Sequence, residues 1–89
     1  MPQYMGFLEA QGFRHMFKEE PYEDHHLLDG LPSGSSFRVD IEAEGFSVAR
    51  SPRGCEHPGE WHVLATALTP DAMMNLVRAE LTAIGLEVI

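Results

Sequence analysis

The chain has little positive charge. Six lysine and arginine residues stand against fourteen aspartate and glutamate residues, which gives a formal net charge of -8 at pH 7. A protein that binds nucleic acid neutralises phosphate groups with a basic surface, so this composition argues against nucleic acid as a direct ligand. The same negative charge would be repelled by an anionic membrane surface.

Three other absences bear on the cellular location of the protein. Cys55 is the single cysteine, so the chain can form no internal disulfide, which favours a reducing compartment. No apolar run approaches the roughly 18 residues of a membrane-spanning helix. Residues 1–4 show no basic stretch followed by an apolar one, which a secretory signal would require. We therefore expect a cytoplasmic protein that neither enters nor lies on a membrane.

The remaining composition is that of an ordinary folded protein. Hydrophobic residues make up 44% of the 89 positions and charged residues 22%, which is too apolar for a disordered chain. Residues 1–89 are also short for more than one hydrophobic core. We expect them to form a single domain.

The clearest local signal lies near the carboxyl end. Thr69, Pro70 and Asp71 are typical of a helix start, because a hydroxyl caps the first turn, proline fits the first helical position and an acid favours the positive end. Gly85 is suited to end this helix near residue 84. We expect residues 86–89 to follow as a short strand that pairs within a sheet, or that pairs between two copies if it lies at a sheet edge. Apolar residues recur at helical spacing between these ends: Met73, Leu76, Val77, Leu81 and Ile84.

A β-hairpin is predicted in the middle of the chain. Apolar and charged residues alternate over 37–43, which is the period-two pattern of a half-buried strand. A two-residue turn at 44–45 would place Ile41 opposite Val48, so that both strands present apolar residues to the same face. Residues 61–68 are predicted to form a third strand.

The amino-terminal part repeats the pattern of the carboxyl-terminal helix end. Residues 8–13 and 81–86 share leucine, alanine, glycine and a following apolar residue at matching positions. Both segments are typical of a helix that ends at glycine, so we expect a helix over 3–11 and a strand over 13–17. The predicted fold is α+β: a two-layer sandwich with about four to five mainly antiparallel strands, two helices on one face and the order α-β-β-β-β-α-β.

Residues 18–36 form the acidic part of the chain, and we expect an irregular, exposed connection there with a brief helical turn at 25–28. Tyr22 within it fits no strand or helix pattern, and an amphipathic ring among carboxylates is suited to anchor an interface. These residues, with the outward carboxylates of the hairpin, are the candidate contacts with a basic partner: Glu19, Glu20, Tyr22, Glu23, Asp24, Asp29, Asp40, Glu42 and Glu44.

A small acidic chain without a catalytic motif favours a non-catalytic protein-binding module. Its partner would be a basic protein or a nucleic-acid-handling complex, because opposite charge speeds the encounter. The chain would then inhibit by mimicking nucleic acid in a basic groove. Bacteriophage anti-CRISPR proteins and toxin-neutralising immunity proteins share this size and acidity, which is a likeness of type and not of sequence. We expect no enzymatic activity, and either a monomer or a homodimer.

A zinc-binding sensor, or an accessory subunit of an enzyme, is the alternative. Cys55, His57 and His62 lie within eight residues and supply the thiolate and imidazole ligands that zinc accepts. Their spacing does not match the paired ligand sets of common zinc sites. His25 and His26 are adjacent and would point opposite ways on an extended segment, so one site could rarely take both. Zinc is the expected cofactor only in this alternative.

Overall fold

The computed structural model describes residues 3–16, 24–54 and 61–88. The described strands form one antiparallel sheet in which their spatial order follows the chain order. This arrangement confirms the predicted α+β class, with the order α-β-β-β-β-β-α. The elements are α1 (Gln3–Ala10), β1 (Arg14–Met16), β2 (His25–Leu28), β3 (Ser36–Glu42), β4 (Gly45–Ser51), β5 (His62–Leu68) and α2 (Pro70–Ala83).

One face of the sheet packs against the helices. Leu28 of β2 lies opposite Phe37 of β3, and Val39 of β3 lies opposite Val48 of β4. Because side chains alternate along a strand, these residues belong to the same face. The helices therefore lie on one side of the sheet, as a two-layer sandwich requires. The buried core consists of Leu8, Phe13, Leu28, Phe37, Val39, Phe46, Val48, Met73, Met74, Val77 and Leu81.

The start of α2 is confirmed. Thr69 is the N-cap, and its hydroxyl oxygen accepts a hydrogen bond from the amide of Ala72 at 3.2 Å. Pro70 occupies the first helical position, where its missing N–H costs no hydrogen bond. Within the part of the chain that the structure describes, no helix is long and apolar enough to cross a membrane.

Both helices end in the same hydrogen-bonding motif. Gly12 and Gly85 adopt φ angles of +99° and +88°, which L side chains rarely adopt. This is the Schellman motif, and it explains the likeness between segments 8–13 and 81–86. In each helix the glycine amide donates a hydrogen bond to the carbonyl three residues earlier, and the following amide donates to the carbonyl five residues earlier. The four hydrogen bonds are each 3.0 Å long: Gly12 to Glu9, Phe13 to Leu8, Gly85 to Thr82 and Leu86 to Leu81.

The predicted helical turn at 25–28 is wrong, because these residues form β2. β2 lies between β1 and β3 and pairs with both strands. Its backbone is therefore hydrogen-bonded by a neighbouring strand on either side. A segment of four residues does not reveal these distant partners in its own sequence. The connection over 18–36 is for this reason not irregular throughout.

The predicted carboxyl-terminal strand is also wrong over 86–88. These residues have no strand structure, yet Leu86 and Val88 pack against the core. The apolar pattern that suggested a strand reflects the packing of these two side chains against the core, which occurs here without strand pairing. The described sheet edges are β1 and β5.

The hairpin turns at 43–44, one residue earlier than predicted. Ile41 therefore lies opposite Phe46 and not opposite Val48. The partner changes by two residues, so side chains stay on the predicted face. Near the amino end, β1 covers Arg14–Met16 of the predicted 13–17 strand, and position 17 lies outside the described residues.

Candidate functional site

The sheet face opposite the helices is rich in polar side chains. Asp40 of β3 lies between His25 of β2 and Ser47 of β4 in the cross-strand pairing. These residues alternate with core residues, so they point away from the helices. We call this side of the sheet the outer face, with the members Arg14, Met16, His25, Leu27, Arg38, Asp40, Glu42, Ser47, Ala49 and Val63.

Arg38 has two partners on the outer face. Its Nε donates a hydrogen bond to Oδ2 of Asp40 at 3.0 Å. Its guanidinium carbon lies 4.8 Å from the ring centroid of Trp61. The side chains of Arg38 and Asp40 are 28% and 23% exposed, so the pair is partly desolvated but reachable. Arginine and tryptophan are enriched among the residues that dominate protein interfaces, which makes this group a candidate contact.

Two of the predicted acidic contacts form ion pairs within the chain. Asp29 accepts a hydrogen bond from Arg14 at 2.9 Å, and Asp40 accepts the one from Arg38. The Arg14 side chain is 61% exposed, so its pair with Asp29 adds little to stability. Both carboxylates would meet a partner as part of a mixed-charge surface.

The other predicted contacts differ in their surroundings. Glu42 accepts a hydrogen bond from the hydroxyl of Ser47, and Glu44 is exposed in the hairpin turn. Asp24 is half-buried immediately before β2. Four of the predicted contacts lie outside the described residues: Glu19, Glu20, Tyr22 and Glu23.

The arginines of the helix-covered side also have partners within the chain. Arg78 lies 4.7 Å from the Phe7 ring centroid and donates to Asn75. Arg50 lies 6.0 Å from the ring centroid of Phe37. Three arginines are also exposed in the described ranges (Arg14, Arg53 and Arg78), so exposed carboxylates outnumber exposed cations there by five to three. The exposed carboxylates in the described ranges are Glu9, Glu42, Glu44, Asp71 and Glu87.

A groove at one end of the sheet is lined by loop residues. Asp29, Ser36 and Arg53 supply its polar side chains, beside three glycines and Leu31. The described lining offers no histidine or cysteine, so it holds no thiol or imidazole for nucleophilic chemistry.

The metal alternative rests mainly on residues that the structure does not describe. Cys55 and His57 lie outside the described ranges, while His62 is exposed at the start of β5. Among residues 3–16, 24–54 and 61–88, no three histidine, cysteine or acidic side chains lie close enough together to hold a metal ion. The zinc alternative stays a prediction.

His26 is a core residue that sequence reasoning missed. The residue is 1% exposed, and its ring stacks on the ring of His15, with centroids 4.6 Å apart and planes at 16°. Within the described structure, neither ring nitrogen of His26 has a hydrogen-bond partner. Burial lowers the pKa of His26, His15 and His25 lower it further, and Asp24 acts in the opposite direction. His25 lies on the outer face, so the two histidines point opposite ways as predicted.

β5 is an edge strand that exposes apolar side chains. Val63 and Leu64 are 59% and 39% exposed, and β5 contains no lysine, arginine or acid. Its register against β4 shifts twice, so that residues 46–50 of β4 lie opposite the longer segment 62–68 of β5. Such bulges blunt a sheet edge against pairing with another strand. The homodimer stays a prediction.

Comparison of the chain with protein-family models, with curated proteins and with solved structures finds no match. The fold and the residues described above are therefore the basis for a functional proposal.

Proposed function

We propose that the chain is a non-catalytic protein-binding module whose outer face and adjoining hairpin turn bind a basic surface of a partner protein. The distribution of charge carries this proposal. Arg14 and Arg38 contact carboxylates of their own chain, while Glu44 remains exposed at the turn. The chain keeps a net charge of -8, so a basic surface is attracted to it over long range.

The group formed by Arg38, Asp40 and Trp61 would supply the specific contacts. A tryptophan ring and a guanidinium offer large contact area at a low cost in conformational entropy, because each holds the other in place. The carboxylates at the hairpin turn would then fix the orientation of the partner and speed the encounter.

A basic surface of this kind is typical of proteins that handle nucleic acid. The module would act as an inhibitor by occupying the surface that otherwise binds phosphate groups, and it would do so in the cytoplasm. This partner class follows from charge complementarity alone.

The test compares two charge reversals of equal size. The tagged chain is used to capture proteins from its host's lysate at low and at high salt, as the wild type and as two double variants. Glu42→Lys with Glu44→Lys alters the turn beside the outer face. Glu9→Lys with Glu87→Lys makes the same change in net charge at exposed positions of the helical layer.

A basic protein that the wild type retains at low salt should be lost with the turn variant and kept by the control. Equal loss with both variants would show that bulk charge alone drives capture, which contradicts the proposed face. Capture that is unchanged in both variants would contradict the proposal altogether. Zinc content is determined on the same preparations, since about one zinc per chain would favour the metal alternative.

A further inference from the structure

β1 is attached to the sheet through a short ladder. It contains three residues and lies at an edge, so β2 is its only neighbouring strand in the described sheet. Its central residue, His15, lies opposite His26, and the two rings stack on the helix-covered side. The docking of β1 therefore includes the contact between two imidazole rings, beside the buried Phe13 that precedes the strand.

We propose that the stacked His15 and His26 form a proton-operated latch, which holds β1 against β2 near neutral pH and releases it on mild acidification. Neutral imidazoles stack as flat, weakly polar rings. Two imidazolium ions with centroids 4.6 Å apart would repel each other. A protonated His26 would also be a buried cation, which is costly without a partner for its N–H groups.

The groups around His26 favour its neutral form. His15 faces it from β1, and His25 and Asp24 belong to its own segment. Asp24 is the one carboxylate in the described structure that favours the protonated ring. β3 presents Val39 opposite His26.

Charged groups on the other neighbouring elements are directed elsewhere. Arg38 and Asp40 pair on the outer face, and Arg50 of β4 lies over Phe37. The buried residues that the helices contribute to the core are apolar: Leu8, Met73, Met74, Val77 and Leu81.

The direction of the pH effect follows from proton linkage. Burial lowers the pKa of His26 in the docked state, and the released ring regains an ordinary value of about 6.5. Between these two values the released form binds more protons, so docking weakens as the pH falls through about 6.5 and levels off below the pKa of the docked state. The opening equilibrium changes at most about tenfold for each unit by which the pKa is lowered.

β1 is the part expected to open. β2 keeps four cross-strand pairs with β3, whereas β1 has three pairs with β2 and no second partner in the described sheet. α1 is held separately, because Leu8 is 0% exposed in the core and the Tyr4 ring lies 4.7 Å from the ring of Phe46. The exposed ion pair between Arg14 and Asp29 adds little to the stability of the docked strand.

The test follows amide hydrogen exchange by NMR in the full chain at pH 7.5 and 5.5, after correction for intrinsic exchange rates. Protection over Arg14–Met16 should fall at least about threefold at the lower pH relative to the β3–β4 ladder. His26→Phe keeps an aromatic ring but cannot take up a proton, so it should abolish this difference. Thr66→Ala changes an exposed residue on β5, the opposite edge strand, and should keep the wild-type response.

Two exchange results would overturn the latch. One is an equal loss of β1 protection in the wild type and in His26→Phe. The other is an equal loss over β1 and the β3–β4 ladder, because it would mean global unfolding and not local release.

The His26 ring protons provide a readout that does not depend on a variant's folding. Their titration in the wild type should show a midpoint below about 6.5, and β1 protection should be lost between about 6.5 and that midpoint. A midpoint at or above that value contradicts the proposal. His15→Phe, which also removes one proton site from the stack, should weaken the pH response in the same direction as His26→Phe.

Discussion

Gly45 lies directly against the backbone of Leu68, at the point where β4 begins and β5 ends. A Cβ atom on Gly45 would stand 2.7 Å from the carbonyl oxygen of Leu68 and 2.9 Å from the carbonyl carbon of Ala67. Ala67 itself has a φ angle of +54°, which is uncommon for a residue other than glycine. The two strands approach this closely only because position 45 has no side chain.

Gly45→Ala should therefore lower the free energy of unfolding by about 2 to 4 kcal/mol, since backbone and not a flexible side chain would have to move. Urea denaturation gives this value. Gly85→Ala is the matched control: its Cβ would meet nothing within 4 Å, so only the cost of a positive φ remains, about 1 to 2 kcal/mol. Equal losses in the two variants would contradict the importance of the close approach.

Gly6→Ala should change stability in the opposite direction. Gly6 is exposed in the middle of α1, and an added Cβ would meet nothing within 4 Å. Alanine loses less conformational entropy in a helix than glycine, so we expect the free energy of unfolding to rise by about 0.5 to 1 kcal/mol. A decrease, measured by the same denaturation, would mean that α1 is not helical in solution.

Val77→Ala should destabilise the protein through a cavity beneath α2. Val77 is buried in the core cluster, and its truncation should cost about 1 to 3 kcal/mol. The thermal midpoint should fall by about 4 to 8 °C for each kcal/mol in a domain of this size. Thr82→Ala, an exposed change on the same helix, should leave the midpoint nearly unchanged. An unshifted midpoint for Val77→Ala would refute the packing of this face.

The contact between Arg38 and Trp61 can be measured by a double-mutant cycle. The variants Arg38→Met, Trp61→Leu and the double change should give a coupling energy of about 0.5 to 1 kcal/mol, the usual value for a partly exposed cation over an aromatic ring. Arg38→Met also leaves Asp40 without its ion pair, and the cycle removes that cost from the coupling. Strictly additive effects would contradict the contact.

Sequence reasoning located those elements whose signals are local. Thr69 and Pro70 mark the start of α2, and Gly12 and Gly85 mark the two helix ends. Alternating apolar residues predict β3, and the strand predicted over 61–68 corresponds to β5. The structure places the hairpin turn one residue earlier than the pattern predicts. Glycine is typical of turns, but Gly45 belongs to β4, where it lies beside Leu68.

The candidate site could be predicted only in part. Side chains alternate along a strand, so the position of Asp40 and Glu42 on the outer face could be predicted. Their internal partners were not: Asp40 pairs with Arg38, two residues away, while Trp61 reaches the same arginine from the start of another strand. Position in the chain says nothing about contacts of the latter kind.

The amino-acid sequence by itself determined the charge of this protein, its two helices with their caps and the strands that alternate in polarity. Each of these depends on interactions within a few residues, or on composition alone. Only the tertiary structure decided that residues 25–28 are a strand, that residues 86–88 are not, and that His26 is buried against His15. A short segment with no strong local preference takes the conformation that its neighbours can hydrogen-bond and cover, and those neighbours are distant in the chain.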